Sequence, residues 1–249
     1  MKKTIAIVLC ASLLLCVGAA FGEDYAIATD TAFRPFEYTD KSGELVGIDV
    51  ELLAAIAKDQ GFTYSIEPLG WDGSIAACQA GQKDGMIAGA SITEERLASG
   101  WIFSDAYFNA TQSMAVAQGV SITGFEDLKG HSVAVKAGTL SKDYADSLSE
   151  KYEFKVVTYG SSLAVYMAVT GGDCAACFDD TPALEDYILN GGVFLQMVDG
   201  TANEGTDYGF VVFSAEKQEL VDKFNAGLAN IKASGEYDKI LAKYLSLSE

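Results

Sequence analysis

The chain is poor in histidine, in basic residues and in long apolar runs. It contains one histidine, His131, so a His-based metal site or a Ser-His-Asp triad would have to be built around that residue. Lys and Arg number 17 against 35 Asp and Glu, which gives a formal charge of −18. A surface this acidic repels phosphate groups, which argues against nucleic-acid binding and against docking on anionic membranes.

The N-terminus has the pattern of an export signal. Lys2 and Lys3 precede a nearly apolar run over 4–18, and small residues lead to a cleavage point after Gly22. We predict a signal peptide over 1–22, because the run is short for a membrane anchor and acidic residues follow at once. Its removal leaves 15 basic residues against 35 acidic ones, a charge of −20.

A lipoprotein signal is the alternative at this end of the chain, since Cys16 lies within it. Such signals place a small residue before the cysteine, whereas Leu15 stands there. No later apolar run is long enough to span a bilayer. The sequence therefore predicts a soluble, exported product without a lipid anchor.

The cysteines that follow the predicted signal peptide do not indicate a disulfide framework. Cys78, Cys174 and Cys177 remain, and the last two have the spacing of a redox pair. The segment 173–178 is typical of a short buried strand, in which positions i and i+3 point to opposite faces. We therefore interpret these cysteines as small apolar packing residues rather than a redox pair.

The rest of the chain alternates strand and helix patterns. Strands are predicted over 25–29, 62–66, 85–88, 131–136, 154–158, 173–178 and 208–213. Helices are predicted over 50–58, 73–80, 91–97, 140–152, 162–170, 216–232 and 237–244, with a further helix after Asp180. Such alternation predicts an α/β fold with mostly parallel sheets, in two βαβ runs over about 24–108 and 112–205.

Three helix starts follow from capping patterns. Asp49 is predicted to cap the helix that stops at Gly61, and Ser91 is predicted to open a capping box with Glu94. Asp180 is predicted to cap the helix that carries a proline in its first turn. A cap alone would explain each of these side chains.

Ligands of open α/β sheets bind at the carboxyl ends of strands. The loops at such ends are 30–33, 88–91, 136–139 and 179–181. Arg96, with the free backbone N–H groups and hydroxyl of 88–91, suits a carboxylate, and Asp180 suits an ammonium group. The alternatives are a plain capped helix with a surface arginine, solvent-exposed loop charges at Asp30 and Lys136, and core roles for Phe33 and Trp71.

Six segments, in order, resemble one known family over essentially the whole chain after the signal. They are Ala28-Thr-Asp-Thr-Ala-Phe-Arg-Pro-Phe-Glu37, Gly47-Ile-Asp-Val-Glu-Leu-Leu-Ala-Ala-Ile-Ala57, Ile87-Ala-Gly-Ala-Ser-Ile-Thr-Glu-Glu-Arg96, Phe103-Ser-Asp-Ala-Tyr107, Val133-Ala-Val-Lys-Ala-Gly-Thr139 and Asp180-Thr-Pro182. The family is that of the periplasmic polar-amino-acid-binding proteins of ABC importers (solute-binding protein family 3), and the resemblance is greatest to its glutamine-binding members.

This resemblance implies the type II periplasmic-binding-protein fold, with two α/β lobes joined by two crossing segments. Lobe 1 would comprise 24–108 plus 210–249, and lobe 2 would comprise 112–205. The hinges would lie near 106–111 and 206–209. A periplasmic monomer without a cofactor is implied, which binds a free L-amino acid and docks on a membrane permease.

The resemblance also implies a role for each candidate site residue. Arg96 would bind the ligand α-carboxylate, assisted by Ser91 and the backbone of Ala88 and Gly89. Asp180 would bind the α-ammonium group. The remaining residues would surround the ligand side chain: Phe33 and Trp71 along its aliphatic part, Asp30, Lys136 and Asp179 near its end, and Thr139 on lobe 2.

Two departures from the glutamine-binding pattern affect the predicted ligand. Leu140 replaces a glycine and Asp179 replaces a histidine. The negative charges of Asp30, Asp179 and Asp180 exceed the positive charges of Arg96 and Lys136 by one. The cleft would then have a charge of −1, which would allow a cationic ligand. Because Lys136 would oppose such a ligand, we predict glutamine or a similar neutral polar amino acid first, and a basic amino acid second.

Two other functions on the same fold remain as alternatives. A cyclohexadienyl (arogenate) dehydratase would need a carboxylic acid beside the substrate's leaving hydroxyl, and Glu204 before the second hinge is the candidate. The ligand-binding domain of a sensor is the other, although such domains usually belong to longer, membrane-tethered chains. A binding protein that is not an enzyme is the prediction.

Overall fold

The computed structural model describes residues 24–245. The predicted signal peptide over 1–22, with Cys10 and Cys16, lies outside this range, as do the last four residues of predicted lobe 1. The strands are β1 (Asp24–Thr29), β2 (Ala32–Phe33), β3 (Glu37–Thr39), β4 (Leu45–Val46), β5 (Thr63–Pro68), β6 (Gly85–Met86), β7 (Ile102–Phe103), β8 (Phe108–Ala110), β9 (Gln112–Ala117), β10 (Ser132–Lys136), β11 (Lys155–Tyr159), β12 (Ala176–Asp180), β13 (Leu195–Met197), β14 (Thr206–Tyr208) and β15 (Val211–Val212). The helices are α1 (Ile48–Gln60), α2 (Trp71–Gln79), α3 (Glu94–Ala98), α4 (Leu140–Tyr152), α5 (Ser162–Thr170), α6 (Thr181–Leu189), α7 (Gln218–Ser234) and α8 (Glu236–Leu245).

Two five-stranded sheets form the centres of two lobes, as the predicted fold class requires. The first has the order β5-β1-β6-β15-β7 and the second the order β11-β10-β12-β9-β13. Within each sheet the first three strands are parallel, and β15 and β9 join antiparallel. The α/β, two-lobed prediction is therefore confirmed.

The chain passes between the sheets twice, through β8 and β14. These two strands pair antiparallel with each other, Thr206 opposite Ala110 and Tyr208 opposite Phe108. They form a short ribbon that belongs to neither five-stranded sheet. Both ribbon strands fall inside the segments predicted as hinges, whose role in motion stays a prediction.

Apolar faces of the helices cover both sheets. On the first lobe, Leu52 and Ile56 of α1 are fully buried in one cluster with Phe224 of α7. On the second lobe, Val165 of α5 is fully buried in a cluster that also contains Cys174 and Cys177. The burial of both thiols agrees with a packing role. No helix within residues 24–245 combines the length and the apolar composition needed to cross a bilayer.

Several local predictions were wrong in informative ways. The helix α1 begins at Ile48 after Gly47, so Asp49 lies inside the first turn and does not cap it, although the stop at Gly61 is confirmed. The cap of α3 is Thr93, whose hydroxyl accepts a hydrogen bond from the backbone N–H of Arg96. The strand expected over 173–178 begins at 176, and the strand expected over 208–213 is divided between β14 and β15.

Candidate functional site

A cavity lies between the two lobes where the strands of both sheets end. The residues that line it are Phe33, Trp71, Ala88, Gly89, Ser91, Arg96, Lys136, Thr139, Leu140, Asp179 and Asp180. Ten of these are candidate residues from the sequence, and the eleventh candidate, Asp30, contacts Lys136. The structure thus brings all eleven candidates together, while their role in binding a ligand stays a prediction.

The strand ends explain this convergence. Asp30 follows β1, Lys136 is the last residue of β10, and Asp179 and Asp180 end β12. Because these strands are parallel within their sheets and the two sheets face each other across the ribbon, the charged ends meet in the gap. The cavity holds only about 20 Å³, close to one water molecule, so an amino acid requires its walls to move apart.

The ammonium group of Lys136 and the carboxylate of Asp30 form an ion pair across the gap. Each side chain is only 5% exposed. The ammonium nitrogen also lies 5.4 Å from the ring centre of Phe33 and 5.6 Å from that of Trp71. A positive charge therefore stands between the two aromatic rings and is neutralised by the opposite lobe.

Arg96 lies on the first lobe and reaches the second. Its guanidinium donates to the carbonyl of Ser91 at 2.8 Å and to that of Gly138 at 3.2 Å. The indole N–H of Trp71 donates to the same Gly138 carbonyl at 3.1 Å. Both donors of the first lobe thus meet one loop of the second, and the guanidinium retains further N–H donors for a carboxylate.

Asp180 does not cap α6 with its side chain. Instead its carboxylate accepts hydrogen bonds from the amide of Gln112 at 2.6 Å, from the hydroxyl of Ser141 at 3.2 Å and from the phenol of Tyr208. Burial, followed by the charge of Asp179, raises its pKa to about 6. Asp180 is the N-cap residue of α6, as predicted, but a side-chain cap does not explain its carboxylate, which is held in place by donors from three other elements.

Asp179 lies beside it and is also buried. Its carboxylate accepts from the phenol of Tyr166 at 2.8 Å and from the backbone N–H of Asp180 at 2.9 Å. Burial raises the pKa of Asp179, against the opposing influence of Lys136 and of these hydrogen bonds. Burial therefore makes Asp179 easier to protonate than an exposed aspartate.

Sequence reasoning missed the partners that position Asp180. Tyr208 is the last residue of β14, and Ser91 forms an isolated bridge to it. The sequence marked Tyr208 only as part of the predicted second hinge, 206–209, and as the first residue of a predicted strand. Gln112 and Ser141 carried no distinguishing pattern at all.

A larger groove of about 260 Å³ lies between α6 and the C-terminal end of α8. Apolar residues such as Pro35, Leu189 and Met197 line it, together with two carboxylates, Glu185 and Asp186, and no basic residue. It therefore lacks a cationic partner for a ligand carboxylate. Nor do the residues in 24–245 include three or more Asp, Glu, Cys or His side chains that converge on a metal position.

Known proteins resemble this chain over nearly its whole length. The sequence model of the bacterial extracellular solute-binding proteins, family 3, matches residues 25–247. A probable histidine-binding protein of Neisseria gonorrhoeae is 30% identical, over 99% of this chain and 96% of its own length. An arginine-binding periplasmic protein of Mannheimia haemolytica is 31% identical, over 98% of this chain and 99% of its own.

Solved structures show the same likeness. The structure of an ancestral arginine-binding protein bound to glutamine is 35% identical to this chain, with a TM-score of 0.80. The match covers 89% of this chain and 97% of that one.

Proposed function

Because the chain belongs to the bacterial extracellular solute-binding proteins of family 3, we propose that it captures one free amino acid between its lobes. The amino acid is L-glutamine in this proposal, and an ABC importer permease receives it. The observation that carries the proposal is the buried pair of Lys136 and Asp30 between the rings of Phe33 and Trp71.

The two ends of the cavity suit the two charges of an amino acid. Arg96 supplies guanidinium donors for an α-carboxylate, together with the backbone of Ala88 and Gly89 and the hydroxyl of Ser91. Asp180 supplies an ionised oxygen for an α-ammonium group. These charges come from opposite lobes, so both are engaged only when the lobes approach each other.

The side-chain end of the cavity favours a neutral amide. Asp30 is already paired with Lys136, and a cationic ligand would bring a second positive charge beside a buried ammonium group. A carboxamide, in contrast, can accept from the ammonium group of Lys136 and donate to the carboxylate of Asp30. The bound glutamine stem then lies along Phe33 and Trp71.

A basic amino acid is the second candidate. The two relatives described above are named as histidine- and arginine-binding proteins. In addition, the three aspartates at this cavity outnumber its two basic residues. Arginine would require Lys136 to leave Asp30.

Catalysis is not part of this proposal. The family and both curated relatives are binding proteins by name. Glu204, the candidate general acid of a dehydratase, is exposed and does not line the cavity. A general acid for that chemistry needs to lie within hydrogen-bonding reach of the substrate.

Closure of the two lobes about the β8–β14 ribbon completes the mechanism. In the structure the lobes meet through the ion pair of Arg34 with Asp186 at 2.5 Å and through the phenol of Tyr187, which donates to the carbonyl of Ala32 at 3.1 Å. Separation of these contacts opens the cavity, and the ribbon keeps the strands connected. A permease that recognises both lobes can distinguish the closed form from the open one.

A thermal-shift screen of the twenty amino acids tests the function. A ligand at a hundred times its dissociation constant stabilises the native state by about 2.7 kcal/mol. We expect L-glutamine to raise the melting temperature most, and calorimetry to give one site per chain. A shift with arginine or histidine but none with glutamine would reverse the ranking, and no shift with any amino acid would refute the proposal.

A further inference from the structure

Two buried carboxyl groups behind the cavity have no role in the function described so far. Glu37 opens β3 and Asp49 lies in the first turn of α1, and both are fully buried. Within the described residues, no hydrogen-bond partner reaches either oxygen of Glu37 or Oδ1 of Asp49. Buried polar atoms are rarely left in this condition, because each one costs free energy when it loses water.

The two carboxyl groups lie close together, because the backbone N–H of Asp49 donates to the carbonyl of Phe36, the residue before Glu37, at 2.9 Å. Burial, then the charges of Asp49 and Asp30, raises the pKa of Glu37 well above its ordinary value, and Lys136 opposes this. Burial raises the pKa of Asp49 to about 7, against hydrogen bonds from Tyr107 and Gly89. Two carboxylates that share one dry site do not both ionise at neutral pH.

Asp49 connects this pair to the wall of the cavity. Its Oδ2 accepts from the backbone N–H of Gly89 at 3.0 Å and from the phenol of Tyr107 at 2.8 Å. The phenol oxygen accepts from the same N–H at 3.1 Å. Gly89 has a φ of +57° and lines the cavity beside Ala88 and Ser91.

We propose that Glu37 and Asp49 hold one proton between them, and that this proton allows Asp49 to fix Gly89 and so to shape the cavity wall over 88–91. The proton satisfies the facing oxygens, while the remaining negative charge stays on Asp49 and accepts from Gly89 and Tyr107. Both are positioning residues, since neither lines the cavity. Only the link to ligand affinity rests on the proposed function.

Infrared difference spectroscopy tests the proton directly. The spectrum of the wild type minus that of Glu37→Gln is expected to show the C=O stretch of a protonated carboxylic acid at pH 7. A difference spectrum that contains only carboxylate bands would overturn the proposal. This measurement needs no ligand, so it is independent of the function proposed above.

The pH dependence of unfolding gives a second test without ligand. A native carboxyl group with a raised pKa binds a proton that the unfolded chain has lost, so stability falls as pH rises above the unfolded value. Between pH 5.5 and 7.5 the unfolding constant of the wild type is expected to rise about tenfold per pH unit relative to that of Glu37→Gln. A constant ratio would refute the shared proton.

Glu150→Gln is the matched control for this measurement, since Glu150 is an exposed glutamate on α4. Its unfolding constant should keep a constant ratio to that of the wild type across the same pH range. The comparison removes the contributions of buried carboxyl groups outside this pair, because they titrate equally in all three proteins.

Binding of L-glutamine, and of L-arginine as the second probe, tests the positioning role. Glu37→Gln retains a donor for Asp49 and should keep the wild-type dissociation constant. Glu37→Leu leaves a buried acceptor without a donor and should bind about tenfold more weakly or worse. Equal affinities in both variants would refute the positioning role. If the wild type binds neither amino acid, the proposed function fails, while the two ligand-free tests still decide the shared proton.

Discussion

The ammonium group of Lys136 and the carboxylate of Asp30, 106 positions apart in the chain, meet as a buried ion pair between two lobes. Each belongs to the carboxyl end of a different sheet's strand, so the pair exists only while the lobes are close together. A buried pair of this kind adds little net stability by itself, because desolvation offsets attraction. In the proposed function, its effect is on which ligand charge the cavity accepts.

Lys136→Met should weaken the binding of L-glutamine and improve the ratio of arginine to glutamine affinity. The variant leaves the carboxylate of Asp30 buried without its cation, which a guanidinium can replace. Loss of one partner of a buried charged pair costs about 2–5 kcal/mol, so glutamine affinity should fall at least about thirtyfold. Calorimetry with both amino acids measures the change.

Lys129→Met is the matched control for that variant. Lys129 pairs with Glu153 at the surface, where the two side chains are 68% and 62% exposed. Exposed pairs contribute little, so its affinities should equal those of the wild type. An unchanged arginine-to-glutamine ratio in Lys136→Met would argue against Lys136 as the residue that determines the ligand charge.

Arg96→Ala should lower amino-acid affinity by at least a hundredfold. The variant leaves the ligand α-carboxylate enclosed without its cation, at a cost of about 3–5 kcal/mol. The affinity of Arg96→Lys should fall between those of the wild type and Arg96→Ala, because an ammonium group carries the charge but lacks the planar fork of guanidinium donors. Titration calorimetry gives the three constants, with Lys155→Ala at an exposed position as control. Normal binding by Arg96→Ala would show that the carboxylate is bound elsewhere.

Ligand affinity should fall in acid because Asp180 has to be ionised to accept the α-ammonium group. Its pKa is raised to about 6. Protonation therefore competes with the ligand below that value, and affinity should drop about tenfold per pH unit from pH 6 downward. Above pH 7 this contribution is complete and the affinity should no longer respond to Asp180.

Tyr208→Phe should move the midpoint of this acid profile to higher pH. The phenol donates to Asp180 and lowers its pKa, so its removal makes the carboxyl group easier to protonate. Tyr64→Phe, outside the cavity, is the control and should keep the wild-type midpoint. A midpoint that is the same in all three proteins would contradict the role of Asp180.

Most of the fold and the candidate residues at strand ends could be predicted from the sequence, because strand ends are local features. The bounds of α4 and α5 were predicted correctly, and each helix follows a Thr or Ser whose side chain caps it. The short strands β2, β3 and β4 were missed. Two or three residues are too few to show alternation, and their pairing is set by contacts between them.

The side-chain partners could not be predicted, because they lie far apart in the chain. Asp49 is a residue type common at helix caps and stands just before an apolar run. However, Gly47 is the N-cap of α1, and the Asp49 carboxylate instead accepts a hydrogen bond from the Gly89 N–H. Asp180 shows the same ambiguity. Its donors Gln112 and Tyr208 come 68 positions before and 28 positions after it. Local pattern distinguishes neither case from an ordinary cap.

Gly89→Ala should abolish ligand binding. A control substitution at Gly119 distinguishes the effect of the added methyl group on the cavity from the effect of backbone strain. Gly89 has a φ of +57°, and a Cβ there would lie 2.5 Å from Cε1 of Phe33. A contact this short requires the ring or the backbone of the cavity wall to move. Gly119 also has a positive φ, +84°, but a Cβ there would meet no atom within 4 Å. Gly119→Ala therefore carries only the strain of about 1–2 kcal/mol.

Both variants should lose stability, and only Gly89→Ala should lose affinity. Thermal unfolding and titration with L-glutamine measure the two effects separately. Equal affinity in the two variants would mean that the wall over 88–91 can shift to accept a methyl group. The Asp49 carboxylate and the Tyr107 phenol hold the Gly89 N–H from behind, and the ring of Phe33 occupies the front. The wall is therefore held at its N–H and crowded where a Cβ would be added, which is why a single methyl group at this position is expected to affect ligand binding.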